Sequence, residues 1–267
     1  MKIFISADLE GTACVWQAEH GSKGTREYEE ARRLLTAEVC AAAEGAREAG
    51  AHEIIVADMH GGSGHLLLDQ MPAGVRILEG VPHAPRFPFL DESVNAMFLV
   101  AYHAMAGTPG AVLCHTMTGQ WREFRANARV LGEVGIDAAI AGCVGVPVAL
   151  VTGDDKVCAE ARALLGEIEI AEVKHGIGPT RTLSLSPHDA RTLIRARAAA
   201  AVERASALKP FDLGSPVEIQ IHFAAASDAE QAAGGDAVRV DELTVRWTRP
   251  TIADYFGGLW RPGASNL

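Results

Sequence analysis

The sequence predicts an α/β fold, with a mostly parallel sheet flanked by helices and a smaller α+β part at the C-terminal end. Three observations support this prediction. Over roughly the first 150 residues, short continuous apolar runs alternate with helical segments, which is typical of parallel strands buried on both faces. After about residue 180, apolar and polar residues alternate instead, as they do in half-buried strands. With 267 residues, the chain is also long enough to bury a substantial core.

Five apolar runs predict the strands of the main sheet. They are residues 2–7, 53–57, 96–102, 111–114 and 146–152. Segments rich in helix-forming residues lie between or after several of these runs. The predicted helices are residues 28–49, 132–142 and 155–165. Gly50 suits the C-terminal end of the first helix. Strands and helices in this order imply right-handed crossover connections.

The C-terminal part begins with a helix that opens at Ser186 and Pro187 and runs to about residue 206, because serine is favoured at the N-cap and proline at the first helical position. The other elements predicted here are strands 217–223 and 242–248 and helices 227–233 and 251–260. We therefore predict two domains, residues 1–180 and residues 181–267.

The charge balance of the chain limits its partners. Lys and Arg number 24 and Asp and Glu number 34, so the net charge is −10. We expect no nucleic acid partner, because phosphate binding needs a basic face, and no membrane partner, since no run of about 18 apolar residues occurs. The five cysteines are scattered without CxxC spacing, which favours a reducing compartment. We expect a cytoplasmic protein.

Carboxylates and imidazoles follow the first four predicted strands. Ligands of parallel α/β sheets bind outside the carboxyl ends of the strands, so these side chains are expected to meet at one edge. They are Asp8 and Glu10, Asp58 and His60, His103, and His115. A mixed set of oxygen and nitrogen ligands suits zinc, and also manganese or cobalt.

Simpler interpretations exist for each of these residues. A single Asp or His at a strand end is usually a cap or a hydrogen-bonded loop residue, and Asp58 is expected only to orient His60. Glu133 is interpreted as a carboxylate at a helix N-terminus, and Asn127 is interpreted as a turn residue. His65 is interpreted as a loop histidine. The remaining histidines are interpreted as surface or structural: His20, His52, His83, His175, His188 and His222.

The glycine-rich stretch HGGSG at residues 60–64 suggests a different function, the binding of a phosphate group. A loop of this composition after a strand can cradle a phosphate, although it matches neither GxGxxG nor a P-loop. A non-catalytic domain that binds a phosphate or a nucleotide is therefore one alternative.

Several short motifs, taken together in their order and spacing, resemble the DppA-type D-aminopeptidases, a family of dinuclear zinc metallopeptidases. The resemblance covers most of the chain and is densest over residues 3–155. The matching pieces are SADLEG at 6–11, DMHG at 58–61, AYHA at 101–104, HTM at 115–117, Asn127, GEVG at 132–135, Gly142 and GDD at 153–155.

This resemblance implies a role for each matching residue. Asp8 corresponds to a carboxylate that bridges two zinc ions, one of which is also held by Glu10 and His60. His103 and Glu133 correspond to ligands of the second ion, so the resemblance assigns Glu133 a metal-binding role. His115 corresponds to the catalytic histidine, usually described as the nucleophile. The resemblance further implies two zinc ions per subunit and a homo-oligomer, for example a ring such as a decamer.

The chain departs from the family pattern near the second motif. Met59 stands where the family commonly has Ser, and residues 62–66 lack the Asn that the family usually carries there. Neither change removes an implied metal ligand, so both bear on substrate preference.

The expected function is that of a zinc-dependent aminopeptidase acting on short peptides with an N-terminal D-residue. Residues 1–180 would form the metal-binding catalytic domain, and residues 181–267 would serve oligomerisation or extend the substrate pocket. We expect His115 to act as a general acid or base rather than by covalent attack, and Asp58 and Asn127 to bind substrate or to support the ligands. A dimetal amidase or an L-specific peptidase on the same scaffold is the main alternative.

Overall fold

The computed structural model describes residues 1–80 and 84–261. Its strands are β1 (Lys2–Ala7), β2 (Glu53–Asp58), β3 (Val75–Leu78), β4 (Ala96–Tyr102), β5 (Trp121–Ala126), β6 (Arg129–Val130), β7 (Val148–Asp154), β8 (Glu169–Gly178), β9 (Arg181–Ser184), β10 (Val217–Phe223), β11 (Val238–Arg239) and β12 (Thr244–Arg249). Its helices are α1 (Arg26–Glu48), α2 (Glu133–Gly142), α3 (Asp155–Leu165), α4 (Pro187–Arg204), α5 (Ala226–Ala232) and α6 (Ile252–Tyr255).

Seven strands form the main sheet in the order β3-β2-β1-β4-β7-β8-β9. All neighbours pair in parallel except β8 and β9, which are antiparallel. The predicted fold class is therefore confirmed. From β1 the chain adds β2 and β3 on one side and then returns to place β4 on the other. The boundary between β1 and β4 is a topological switch point, where such sheets bind their ligands.

Both faces of the main sheet are covered, which explains its continuous apolar strands. On one face, Ile3 and Ile5 of β1 lie in a buried cluster with apolar residues of α1 and α4. On the other face, Phe4 lies in a cluster with apolar residues of α2, α3 and the second sheet. Successive residues of a strand point to opposite faces, so β1 contributes to both clusters.

The helices begin where the sequence places capping residues. The side chain of Thr25 accepts a hydrogen bond from Tyr28 N at the start of α1, and Ser186 accepts one from Asp189 N at the start of α4. Asp154 accepts from two backbone N–H groups at the start of α3 and so caps this helix. None of the helices within residues 1–80 and 84–261 is long and apolar enough to cross a bilayer.

A second, antiparallel sheet has the strand order β11-β12-β10-β5-β6. It combines strands from both sides of residue 180, since β5 pairs with β10. The predicted boundary at residue 180 also falls between β8 and β9, which pair with each other. The boundary therefore coincides with no break in either sheet, and a division into two independent folding units stays a prediction.

The fourth predicted strand, residues 111–114, is wrong. These residues form a buried loop over the carboxyl end of the main sheet, and their apolar character reflects this burial. Side chains and other loops satisfy their backbone: Val112 N donates to Asp154 Oδ2 at 3.2 Å, and Leu113 N donates to Pro179 O at 3.0 Å. Leu113 has a φ of 51°, in the left-handed region rather than the extended one.

Candidate metal centre

The switch point of the main sheet holds a cluster of carboxylates and imidazoles. Asp8 follows β1 directly and His103 follows β4, so pairing of these two strands places the side chains next to each other. His60 lies two residues beyond the end of β2. Glu133 is the first residue of α2, whose N-cap, Gly132, makes no side-chain cap.

Asp8 occupies the middle of the cluster. Its Oδ1 atom lies 3.0 Å from Nδ1 of His60, and its Oδ2 atom lies 3.4 Å from Nε2 of His103. The backbone N–H of Leu9 donates to Oδ1 at 2.9 Å, which fixes the plane of the carboxylate. The two oxygens of one buried carboxylate therefore face two different imidazoles.

Glu10 and Glu133 extend the cluster in opposite directions. Glu10 Oε2 lies 2.9 Å from Nδ1 of His60. Glu133 Oε1 lies 3.3 Å from Nε2 of His103 and 3.7 Å from Nε2 of His115. Potential ligand atoms fall within 4.8 Å of one another in two groups, one of Asp8, Glu10 and His103 and one of His103, His115 and Glu133. The cluster thus has two ends that share His103.

Main-chain carbonyls orient two of the imidazoles. Nδ1 of His103 lies 3.0 Å from Ala104 O, and Nδ1 of His115 lies 2.9 Å from Leu113 O. A carbonyl accepts only, so each Nδ1 carries the proton and each neutral ring presents its Nε2 lone pair to the cluster. Metal-ligating histidines typically have this arrangement.

The donor set fits a divalent cation. Within the described residues, three buried atoms of the cluster make no hydrogen bond, namely Asp8 Oδ2, Glu10 Oε2 and His103 Nε2. Glu10 Oε2 is close to Nδ1 of His60, but this nitrogen bonds to Asp8 Oδ1 instead. Buried polar atoms are nearly always satisfied, so these unsatisfied atoms are consistent with a bound ion or water molecule. Two kinds of donor, carboxylate oxygen and imidazole nitrogen, are those that zinc prefers.

The electrostatics agree with a site built for positive charge. Burial lowers the pKa of His60, but Glu10 and Asp8 outweigh this effect and raise it to about 11. Burial likewise opposes protonation of His103, yet Glu133 and Asp8 hold its pKa well above the ordinary value. The carboxylates therefore attract protons onto the imidazoles, and a cation competes for the same sites.

A buried lysine supports the segment that carries Glu10. Lys174 of β8 donates from Nζ to the carbonyl oxygens of Glu10, Thr12 and Val15, the last two at 2.9 and 2.7 Å. On the other side of this loop, Glu38 Oε1 accepts a hydrogen bond from Ala13 N at 2.9 Å. Neither residue was predicted, because β8 and α1 each carry several other charged side chains.

A cavity of about 270 Å³ opens beside the cluster. Glu10, His60 and His115 line it together with the uncharged residues Leu9, Val15, Gln17, Ala18, Gly21, Ser22 and Leu113. It gives a ligand access to both Glu10 and His115.

Two residues that were expected to support the metal ligands, Asp58 and Asn127, contact other residues instead. Asp58 bonds to His65 rather than to His60, accepting from His65 N at 2.6 Å and from Nδ1 at 3.0 Å. His65 is therefore a buried partner of Asp58 and not merely a loop histidine. Asn127 lies in the turn between β5 and β6, where its amide bonds to Leu213 O and Glu218 N, as the turn interpretation predicted.

The HGGSG loop shows little that favours phosphate. Its serine, Ser63, is buried, and its side chain accepts from Gly80 N while Lys23 donates to its carbonyl oxygen. The loop is thus held by its own neighbours. Of the other histidines, His20 is buried and His83 lies outside the described residues.

Comparison with known proteins identifies the family. The family model described as D-aminopeptidase matches residues 1–260. The chain belongs to the D-aminopeptidase family. It is 30% identical over 250 residues to a D-aminopeptidase of Bacillus subtilis (strain 168), covering 92% of this chain and 91% of that protein.

A solved structure agrees with this membership. The Zn-dependent D-aminopeptidase DppA from Bacillus subtilis, described as a self-compartmentalizing protease, superposes with a TM-score of 0.93. Identity is 28%, over 96% of this chain and 94% of that chain. The predicted family, the fold and the assignment as a peptide hydrolase are confirmed.

Proposed function

We propose that this member of the D-aminopeptidase family holds two zinc ions per chain and releases the N-terminal residue of short peptides that begin with a D-residue. The observation that carries the proposal is the position of Asp8, whose two oxygens face His60 and His103 separately. The zinc dependence of the Bacillus subtilis relative supports the choice of metal. Manganese and cobalt suit the same ligands.

The family resemblance divides the proposed ligands around Asp8 rather than around His103. Asp8, Glu10 and His60 would hold one ion, and Asp8, His103 and Glu133 the other. When bound, two cations at these residues would supply activation of a water molecule and stabilisation of negative charge on the substrate carbonyl oxygen. The backbone N–H of Met117 orients Glu133 by donating to its Oε1 atom at 2.8 Å.

His115 is the proposed proton carrier. Its Nδ1 proton is held by Leu113 O, so Nε2 is the atom free to accept a proton and to deliver it to the leaving amine. Its side chain is 31% exposed and lines the cavity, whereas His103 is 1% exposed. A partly exposed imidazole beside a cavity can reach a substrate atom, and this position favours acid–base work over a purely structural role.

The stereochemical preference is tested by a paired assay. Purified protein is loaded with zinc and given D-alanyl and L-alanyl p-nitroanilides, with a His115→Ala preparation as the control for contaminating peptidases. Faster release from the D-substrate supports the proposal. Faster release from the L-substrate establishes the alternative, an L-specific peptidase, and cleavage of simple amides alone establishes an amidase.

We further propose a homo-oligomer that acts in the cytoplasm. The relative's description as self-compartmentalizing supports assembly, and a ring such as a decamer is the form we expect. The five free thiols fit a reducing compartment. Light scattering coupled to size exclusion gives the subunit number, and a monomer at micromolar concentration contradicts the assembly. Cell fractionation tests the location.

A further inference from the structure

The loop that carries His60 is closed by a pair of buried side chains, Asp58 and His65. Their side chains are 0% and 2% exposed. Asp58 is the last residue of β2, and its two carboxylate oxygens accept separately from the backbone N–H and the Nδ1–H of His65. Two hydrogen bonds accepted by one carboxylate thus fix both ends of the segment between residues 58 and 65.

Within this segment, the backbone depends on that closure. Gly61, Ser63 and Gly64 have φ values of 47°, 62° and 86°, so three residues adopt the left-handed region over a short span. For Ser63 this conformation is strained, and it persists only where the surroundings hold it. His60 lies at the beginning of this turn.

His65 also contacts His60 directly. The two rings meet edge to face, with centroids 4.7 Å apart and planes at 80°. On the other side, the ring of Tyr28 packs against His65 at 5.8 Å, and Arg32 Nε donates to His65 O at 3.1 Å. Residues of α1 and β2 therefore hold His65 in place, and its ring packs against the imidazole of His60 in a fixed orientation.

We propose that Asp58 and His65 are positioning residues that fix the imidazole of His60 for metal binding. The inference rests on the proposed dimetal function. Asp58 acts on His60 through His65. A carboxylate that orients a metal-bound histidine usually accepts a hydrogen bond from that histidine directly. Its effect is thus confined to the ion held by Asp8, Glu10 and His60.

The test separates positioning from stability. His65→Leu removes the donor to Asp58 but keeps an apolar side chain, whereas His65→Asn restores an N–H that Asp58 can accept. Thr36→Val is the matched control, because Thr36 Oγ1 accepts from Leu67 N at 2.9 Å and so supports the same loop away from His60. Zinc affinities are measured on full-length protein by competition with a chromophoric chelator, and melting temperature is recorded in parallel.

We expect wild type to bind two ions and His65→Leu to bind one of them about 10- to 100-fold more weakly, with the other unchanged. His65→Asn should recover most of the loss, and Thr36→Val should lower the melting temperature without changing either affinity. If His65→Leu binds both ions with the affinities of wild type, the inference is overturned and the proposed function is left intact.

Two further results complete the design. If His65→Leu does not fold, Asp58→Asn serves instead, because its amide cannot accept both hydrogen bonds, and unchanged affinities there also overturn the inference. Wild type that binds fewer than two ions contradicts the proposed function itself, which distinguishes the two failures.

Discussion

The imidazole of His115 lies parallel to that of His103, with ring centroids 4.0 Å apart and planes at 17°. Both rings direct Nε2 towards Oε1 of Glu133, at 3.7 and 3.3 Å. His103 is buried, whereas His115 lines the cavity. One carboxylate thus joins a proposed metal ligand to the proposed proton carrier.

The role of His115 in turnover is tested by His115→Ala. Since His115 is not among the proposed ligands, we expect the variant to keep both ions and to lose about 10²- to 10⁴-fold in kcat. Steady-state kinetics and metal content are measured on the same preparation. His188→Ala, which changes an exposed histidine on α4, is the control and should match wild type. A His115→Ala enzyme as active as wild type contradicts the assigned role.

The two ends of the cluster are distinguished by isosteric changes. Glu133→Gln keeps the hydrogen bond from Met117 N but loses the charge, so it should release the ion held by His103 and retain the other. Glu10→Gln should release the ion held by His60. Elemental analysis is therefore expected to give close to one zinc per chain for each variant. Retention of two ions by either variant removes that residue from the ligand set.

Stability should depend on pH through Glu38. Burial raises the pKa of this carboxyl from 4.5 to about 7, because Lys174 and the Ala13 N–H offset only part of the desolvation. The folded state therefore binds the proton more tightly, and the resulting stabilisation is present below pH 4.5 and lost as pH rises through 7. The expected loss is about 3 kcal/mol in the free energy of unfolding.

Glu38→Gln isolates this contribution, since it keeps an acceptor for Ala13 N and cannot ionise. Glu160 has a pKa raised to about 7 as well, so the informative quantity is the difference between variant and wild type. Urea unfolding at pH 5 and pH 8 should show the variant gaining stability relative to wild type at the higher pH. An equal difference at both values contradicts the raised pKa of Glu38.

Gly11 is required by the close approach of the Asp8 loop to the end of β4. A Cβ atom at this position would lie 2.0 Å from Tyr102 O. Gly11→Ala should therefore cost about 3 kcal/mol, because the backbone of β4 has to move. Gly119 has no atom within 4 Å of its Cβ position, so Gly119→Ala is the matched control. Similar melting temperatures for the two variants contradict this packing.

The strand-end residues were predictable because parallel strands bring their carboxyl ends to one edge. Asp8, Glu10, His60 and His103 follow three apolar runs that do form neighbouring strands. His115 was selected on the same argument, yet it follows a partly buried loop rather than a strand. Burial alone made residues 111–114 apolar, and an apolar pattern of four residues does not distinguish a strand from such a loop.

Other parts of the site depend on contacts between distant segments. Glu133 resembles any carboxylate at a helix N-terminus, and only the family resemblance indicated a metal-binding role. His65 and Lys174 gain their importance from Asp58 and from the carbonyls of residues 10–15, which no local pattern shows. Similarly, β5 was missed because its partner β10 lies far along the chain and its own sequence, WREFRA, is largely polar.

The central claim is that Asp8 bridges two metal ions. Elemental analysis of wild type and Asp8→Ala, each loaded with zinc and then dialysed, tests it most directly. The account predicts close to two zinc ions per wild-type chain and loss of both in the variant. Wild type without bound metal after zinc addition, or Asp8→Ala with two ions, would contradict it.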